Sequence, residues 1–214
     1  GGLKMLENIE VLCHSSIRFN KGLIIYFDPF KINKDYHDAD IIFITHSHYD
    51  HYSEEDISKV IKDNTTIVVP KALEDMVLQF GFAKEHIIVL SPNEEYSVLG
   101  INFKTIPAYN TNKNFHPKSN EWVGYIVNLD QTTYYIAGDT DITEENRQVK
   151  CDVAFVPIGG TYTMTYSEAA ELINEIKPQI AVPIHYGLIV GNKEDANSFA
   201  DLVDKEIECK ILIR

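Results

Sequence analysis

Residues 43–53, "FITHSHYDHYS", place three histidines and an aspartate within six positions, His46-x-His48-x-Asp50-His51, directly after the apolar run 41–44. Two histidines at i and i+2 point to the same side while the backbone stays extended, and Asp50 and His51 come round only where the chain turns. The stretch therefore reads as a buried strand running into a loop. Imidazole nitrogens and a carboxylate gathered in one short loop are ligands for a borderline divalent ion such as zinc, iron or manganese. The plainer reading is a solvated loop entering a helix capped by Ser53, with Glu54, Glu55 and Asp56 in its first turn. That cap accounts for Ser53 and leaves the three histidines unexplained.

A metal site needs further ligands, and two other apolar strands end in suitable residues. "YYIAGDTD" (134–141) puts Asp139 at the end of an apolar strand, next to a glycine that permits a tight turn, and "AVPIHYG" (181–187) puts His185 at the end of another. A lone Asp or His at such a place is commonly a turn former. Three separate strands that each end in a ligand-type residue are harder to explain that way.

Turn residues spread along the chain bound a series of short elements. Strands are predicted at 9–13, 15–19, 22–28, 40–45, 66–70, 86–90, 95–99, 101–108, 121–129, 132–138, 152–158, 180–185 and 207–213. Helices are predicted at 53–61, from 71 to Gly81, from Thr165 to about Lys177 and at 193–206; the third opens on "TYSE", the Ser/Thr-x-x-Glu spacing of a capping box. Strands come first and helices later in each half, a pattern consistent with an α+β fold of two stacked sheets with helices outside, αββα. With 214 residues, 44% of them hydrophobic, one sizeable core is within reach, and residues 1–214 are expected to form a single domain. Gly1 and Gly2 read as an expression-tag remnant.

Apolar runs such as "IIFI" (41–44) and "AFVPI" (154–158) fall far short of the roughly 20 residues a membrane span needs, and "GGLKMLENIE" lacks the shape of a signal peptide. A cytoplasmic protein is expected. Cys13, Cys151 and Cys209 are odd in number and widely spaced, which suits reduced thiols near a core. The formal net charge is −13, from 32 acidic against 19 basic residues, so polyanions such as nucleic acid are disfavoured partners. A small-molecule substrate is the expected partner, with a homo-oligomer as a further option.

On the residues quoted, the chain resembles the metallo-β-lactamase superfamily. Its H-x-H-x-D-H signature matches His46, His48, Asp50 and His51, its later single aspartate matches Asp139, and its final histidine matches His185. The likeness runs from "IRFNKGLIIYFDPF" (17–30) to the last strand. Through "YFDPF", "AGDTD" and "PIHYG" the chain looks most like the small metal-dependent hydrolases related to ascorbate-phosphate lactonase and N-acyl-phosphatidylethanolamine phospholipase D. One position departs from the pattern. Where the family has a metal-binding histidine after a strand, Tyr109 and Asn110 stand, and the nearest histidine is His116; either His116 reaches back from its loop, or Asn110 or water completes the site.

The resemblance implies a four-layer αββα fold and two divalent metal ions, zinc first, with manganese, iron or nickel as alternatives. His46, His48 and His116 would hold one metal, Asp50, His51 and His185 the other, with Asp139 bridging them. It implies a hydrolase in which hydroxide formed at the metals attacks an ester-like bond of a small molecule, whether lactone, phosphoester or amide, and Asp50 takes up a proton. Metal binding needs neutral imidazoles, so activity should fall in acid. Asp28 is expected to orient a ligand histidine or to serve as a turn residue before Pro29. Tyr186 and the loop from Gly159 to Tyr162 are expected to line the pocket and donate hydrogen bonds to substrate. His14, His37 and His86 fit no motif and read as a strand-end histidine and two surface ones, and Trp122 as a core residue. An iron-dependent redox enzyme, a nuclease or phosphodiesterase, and a non-catalytic metal-binding domain are the alternatives.

Overall fold

A computed structural model describes residues 2–213; Gly1, one of the two glycines read as a tag remnant, lies outside the described residues. The chain divides into two compact units, one formed by residues 8–91 and the other by residues 1–7 with 92–214.

The unit of residues 8–91 is a six-stranded sheet in the order β1-β2-β3-β4-β5-β6. Its strands are β1 (Ile9–Cys13), β2 (Ser16–Lys21), β3 (Leu23–Phe27), β4 (Ile41–Phe43), β5 (Thr66–Pro70) and β6 (Ile87–Leu90). β1, β2 and β3 pair antiparallel, and β3 to β6 pair parallel. β1, β3 and β4 therefore run the same way and finish at the same end of the sheet. The parallel strands are apolar on both faces, as buried parallel strands must be. One face packs on α2 (Glu54–Val60) and α3 (Glu74–Phe80) through a core that includes Ile42, Ile44, Ile57, Val60, Val69, Leu73 and Val77. Ser53 caps α2, accepting from Asp56 N. Asp56 in turn accepts from the backbone N–H groups of Lys31 and Ile32 at 2.9 and 2.8 Å, tying the chain after β3 to that helix.

The other unit is a seven-stranded sheet in the order β13-β12-β11-β10-β9-β8-β7. Its members are β7 (Glu95–Val98), β8 (Ile101–Pro107), β9 (Val123–Leu129), β10 (Thr132–Ile136), β11 (Val153–Pro157), β12 (Ile180–Ile184) and β13 (Glu208–Cys209). β7 to β10 form an antiparallel meander, and β10 to β13 are parallel. β8, β10 and β12 again share one direction. Helices α4 (Tyr166–Ile176) and α5 (Asp195–Leu202) cover a core that includes Val156, Ala169, Leu172, Ile173, Ala181 and Phe199. α1 (Gly2–Met5) belongs to this unit, and the Met5 carbonyl accepts from the Tyr134 hydroxyl at 2.8 Å. The capping box of α4 is present, with Thr165 and Glu168 each bonding the other's backbone.

The elements agree to within a few residues with those read from the sequence, except that α1 is not among those expected and that the C-terminus differs. The helix expected over 193–206 is confined to α5, closing at Val203 in extended backbone. The strand expected over 207–213 keeps only two ladder residues, because β13 is an edge strand that pairs with β12 at Ile180 and Ala181 alone. Among the described residues, no helix is long and apolar enough to cross a membrane.

Candidate metal centre

His14, Asp28, His46, Asn110, Asp139 and His185 each sit within three residues of the end of a strand. In the first unit, His14 follows β1, Asp28 follows β3, and His46 lies three residues beyond β4. The loop after β4 turns sharply, with the His48 carbonyl accepting from both His51 N (2.9 Å) and Tyr52 N (2.8 Å). That turn brings Asp50 and His51 round, as the spacing predicts. His46, Asp50 and His51 are buried, and His48 is half-buried.

Asp28 organises this half. Its Oδ1 accepts from Thr45 N at 2.8 Å, and its Oδ2 from the Thr45 hydroxyl at 2.6 Å and from His51 Nδ1 at 2.7 Å. A carboxylate only accepts, so His51 carries its proton on Nδ1 and presents a lone pair at Nε2. Thr45 has one hydroxyl proton, and it is given to Asp28. At 2.9 Å from His46 Nδ1, the Thr45 oxygen must therefore accept, which puts the His46 proton on Nδ1 and its lone pair on Nε2. One acid thus sets the tautomer of two histidines, the arrangement that metal-binding imidazoles require. Ligand atoms of Asp28, His46 and His51 lie within 4.8 Å of one another. Burial pushes the Asp28 carboxyl above its ordinary value, and the hydrogen bonds from His51 and Thr45 oppose that rise. The orienting role read for Asp28 as one option is the geometry observed.

In the second unit, Asp139 lies three residues beyond β10, after Gly138 with φ +66°, and His185 directly follows β12 at φ +58°. A non-glycine residue in the left-handed region is strained and is tolerated where the surroundings demand it. His116 stands beside Asp139: its Nε2 is 3.2 Å from Asp139 Oδ2, and His185 Nε2 is 3.0 Å from the same oxygen. All three are buried. Asn110 holds His116 from behind. Its Oδ1 accepts from His116 N at 2.9 Å and from His116 Nδ1 at 3.1 Å, while its amide nitrogen donates to the Tyr162 carbonyl at 2.9 Å. The donation to Tyr162 fixes which end of the amide faces His116, so His116 is protonated on Nδ1 and presents its Nε2 lone pair to Asp139. Lys113 and Thr111 N brace the same loop on Asp141, at 2.5 and 2.8 Å.

These contacts test whether the residues suit a cation. His116 Nε2 faces Asp139 Oδ2 lone pair to lone pair at 3.2 Å, and His51 Nε2 faces Asp50 Oδ2 at 3.4 Å. Two acceptors at that separation repel. A cation between them satisfies both, and zinc–nitrogen bonds of about 2.0–2.1 Å at tetrahedral angles give donor separations of about 3.4 Å. The donor set fits a divalent metal.

Two expectations change. Tyr186 is 2% exposed and packs within the core under α4 and α5; its hydroxyl has no hydrogen-bond partner among the described residues and is pushed up to about 12 by burial. Because His185 occupies a left-handed turn at the strand end, the next side chain is directed into the core, which withdraws the pocket role read for Tyr186. His14 ends a strand as expected, but it also has a partner that no motif gave it. It is 1% exposed, with Nε2 3.1 Å from Asp50 Oδ2, and the sequence gives no signal for this, since its partner lies 36 residues away. Trp122 is buried as expected, its ring edge-on to His116 at 5.7 Å. His37 is exposed and His86 half-buried. From Gly159 to Tyr162, the Tyr162 ring packs edge-on against Phe115 at 4.7 Å. Burial raises the pKa of Cys13, that of Cys151 to about 12 and that of Cys209 to about 11, which disfavours the thiolate form at each.

A family model described as the beta-lactamase superfamily domain matches residues 8–185. A metal-dependent hydrolase from Pyrococcus horikoshii is 28% identical over 221 residues, covering 97% of this chain and 96% of that protein. Among solved structures, a candidate metal-dependent hydrolase from Parabacteroides distasonis is 31% identical with a TM-score of 0.78, over 95% of this chain and 91% of that one. A candidate zinc-dependent hydrolase of the metallo-β-lactamase superfamily from Thermotoga maritima shares the fold at 18% identity, with a TM-score of 0.62 over 95% of this chain and 97% of that one. The chain therefore belongs to the beta-lactamase superfamily, with the α+β (αββα) metallo-β-lactamase fold expected from its sequence.

Proposed function

We propose that this enzyme, a metal-dependent hydrolase of the metallo-β-lactamase superfamily, uses a binuclear centre to cleave an ester-like bond of a small molecule. His46, His48 and His116 serve one metal and Asp50, His51 and His185 the other, with Asp139 shared between them. The observation that carries this reading is the paired lone pairs of buried ligands, His51 against Asp50 and His116 against Asp139, each with its tautomer set by a dedicated acceptor, Asp28 or Asn110.

When bound, two divalent cations, zinc first among them, would lower the pKa of a shared water and polarise the bond under attack. The protein supplies the rest. Asp50 accepts the proton released from water, its oxygen held beside His51 and His14. Asp28 and Asn110 keep the imidazoles neutral on the metal side, and Thr45 transmits the Asp28 bond to His46.

Metal content measured on the same sample as a panel of lactones, phosphodiesters and amides tests the proposal. Two divalent ions per chain and hydrolysis of one class, lost in His48→Ala, are expected. A single ion per chain would overturn the binuclear reading, and hydrolysis unaffected in His48→Ala would overturn the site.

A further inference from the structure

His14 is a buried titratable side chain that the ligand set above does not use. It stands in the turn between β1 and β2 at φ +53°, a left-handed conformation that strains a non-glycine residue unless its surroundings fix it there. Its ring is held edge-on by two neighbours, Phe30 at 6.2 Å and His51 at 6.1 Å. Its Nε2 reaches Asp50 Oδ2 at 3.1 Å, a hydrogen-bond distance, and the His14 side chain is wholly buried there.

Asp50 is joined to its backbone by single bonds, so its carboxylate needs a fixed donor to hold one oxygen in place. His51 cannot be that donor, because its proton is on Nδ1, given to Asp28. His14 Nε2 stands at hydrogen-bond distance from that oxygen, with both side chains buried. We propose that His14 is a positioning residue of the metal centre: its Nε2–H donates to Asp50 Oδ2 and holds that oxygen beside the Nε2 lone pair of His51, ready to bind the metal. His14 acts through Asp50 and touches neither metal nor substrate. The inference rests on the metal-centre reading above.

The variants His14→Leu, which removes the donor at similar bulk, and His14→Gln, which returns an N–H near the position of Nε2, decide the matter. Zinc affinity and stoichiometry are read by competition with a chromophoric chelator, and folding of the metal-free variants by circular dichroism. The wild-type chain is titrated alongside. If it takes up no zinc, the metal-centre reading fails irrespective of His14. If it binds two ions, His14→Leu is expected to weaken one of them about 10- to 100-fold, the usual effect of removing a ligand's hydrogen-bond partner, while His14→Gln recovers most of the affinity. Wild-type affinity in His14→Leu overturns the proposal. Equal loss in both variants, with a changed visible spectrum of the cobalt-substituted protein, makes His14 a ligand and also overturns it. Should the Leu variant fail to fold, the Gln variant decides alone: near-native zinc affinity supports the positioning role, and its loss overturns it.

Discussion

His51 Nδ1 donates to Asp28 Oδ2 at 2.7 Å, and that bond decides which nitrogen of His51 a cation can use. Through the Thr45 hydroxyl the same carboxylate also sets His46. Asp28→Asn should therefore disturb two ligands at once. We expect zinc affinity to fall about 10- to 100-fold, measured by chelator competition; native affinity in this variant would mean that the Asp28 bonds do not govern the ligands.

Asn110 plays the corresponding part for His116. Asn110→Ala removes the acceptor of both His116 N–H groups and should lower metal affinity and kcat together. Asn110→Asp keeps an acceptor for His116 and loses the donation to the Tyr162 carbonyl. Its metal affinity is expected between those of the wild type and the Ala variant, and the order of the three, measured in one titration, checks the assignment.

Gly159 stands where the His185 turn passes close by. A Cβ there would overlap the His185 carbonyl oxygen and lie 2.6 Å from Val190 Cγ1. Gly159→Ala should displace the His185 turn and cost about 1–3 kcal/mol of stability, as overpacking does. Denaturant unfolding gives the stability, and the loss of one metal per chain would report the displaced ligand.

Far from the ligands, Asp40 accepts from Lys62 Nζ at 2.6 Å and from Ile24 N at 2.7 Å. Burial raises its pKa, but these donors outweigh burial and hold it below the ordinary carboxylate value. A depressed native pKa stabilises the fold above the unfolded value of about 3.9 and is lost as pH falls through the native value. Asp40→Asn should cost about 1 kcal/mol at pH 7 and flatten the acid limb of the stability curve, so wild type and variant should converge near pH 2.

Residues 1–214 are proposed to unfold as one domain. Trp122 is the sole tryptophan and lies in the unit of residues 92–214, so its fluorescence follows that unit while far-ultraviolet circular dichroism follows both. Coincident urea transitions are expected; separated midpoints would make the units independent domains.

What the sequence disclosed follows from how locally each feature is encoded. His46, His48, Asp50 and His51 are legible because one loop holds all four, and Asp139 and His185 because an apolar strand ends beside each. His14 and Asn110 are not legible in the same way. One owes its role to a carboxylate 36 residues away, the other to a loop that closes through the Asn110 N to His116 carbonyl bond at 2.8 Å. Tyr186 misled because adjacency to a ligand says nothing about side-chain direction once the preceding residue is left-handed. The strands were read with small errors at their ends, where the periodic signal stops and ladder hydrogen bonds decide.

The strand-end placement of these side chains also bears on how such a protein can change its diet of substrates. His14, Asp28 and His46 follow strands of one sheet, and Asn110, Asp139 and His185 follow strands of the other, so each is anchored by a hydrogen-bonded ladder. The segments beyond them, such as 187–194 with exposed Leu188 and Ile189, carry none of these groups. Insertions and exchanges there can reshape specificity while the chemistry stays on its scaffold. Loop grafting after His185 is accordingly the route by which directed evolution should move this enzyme between substrates with the fewest inactive variants.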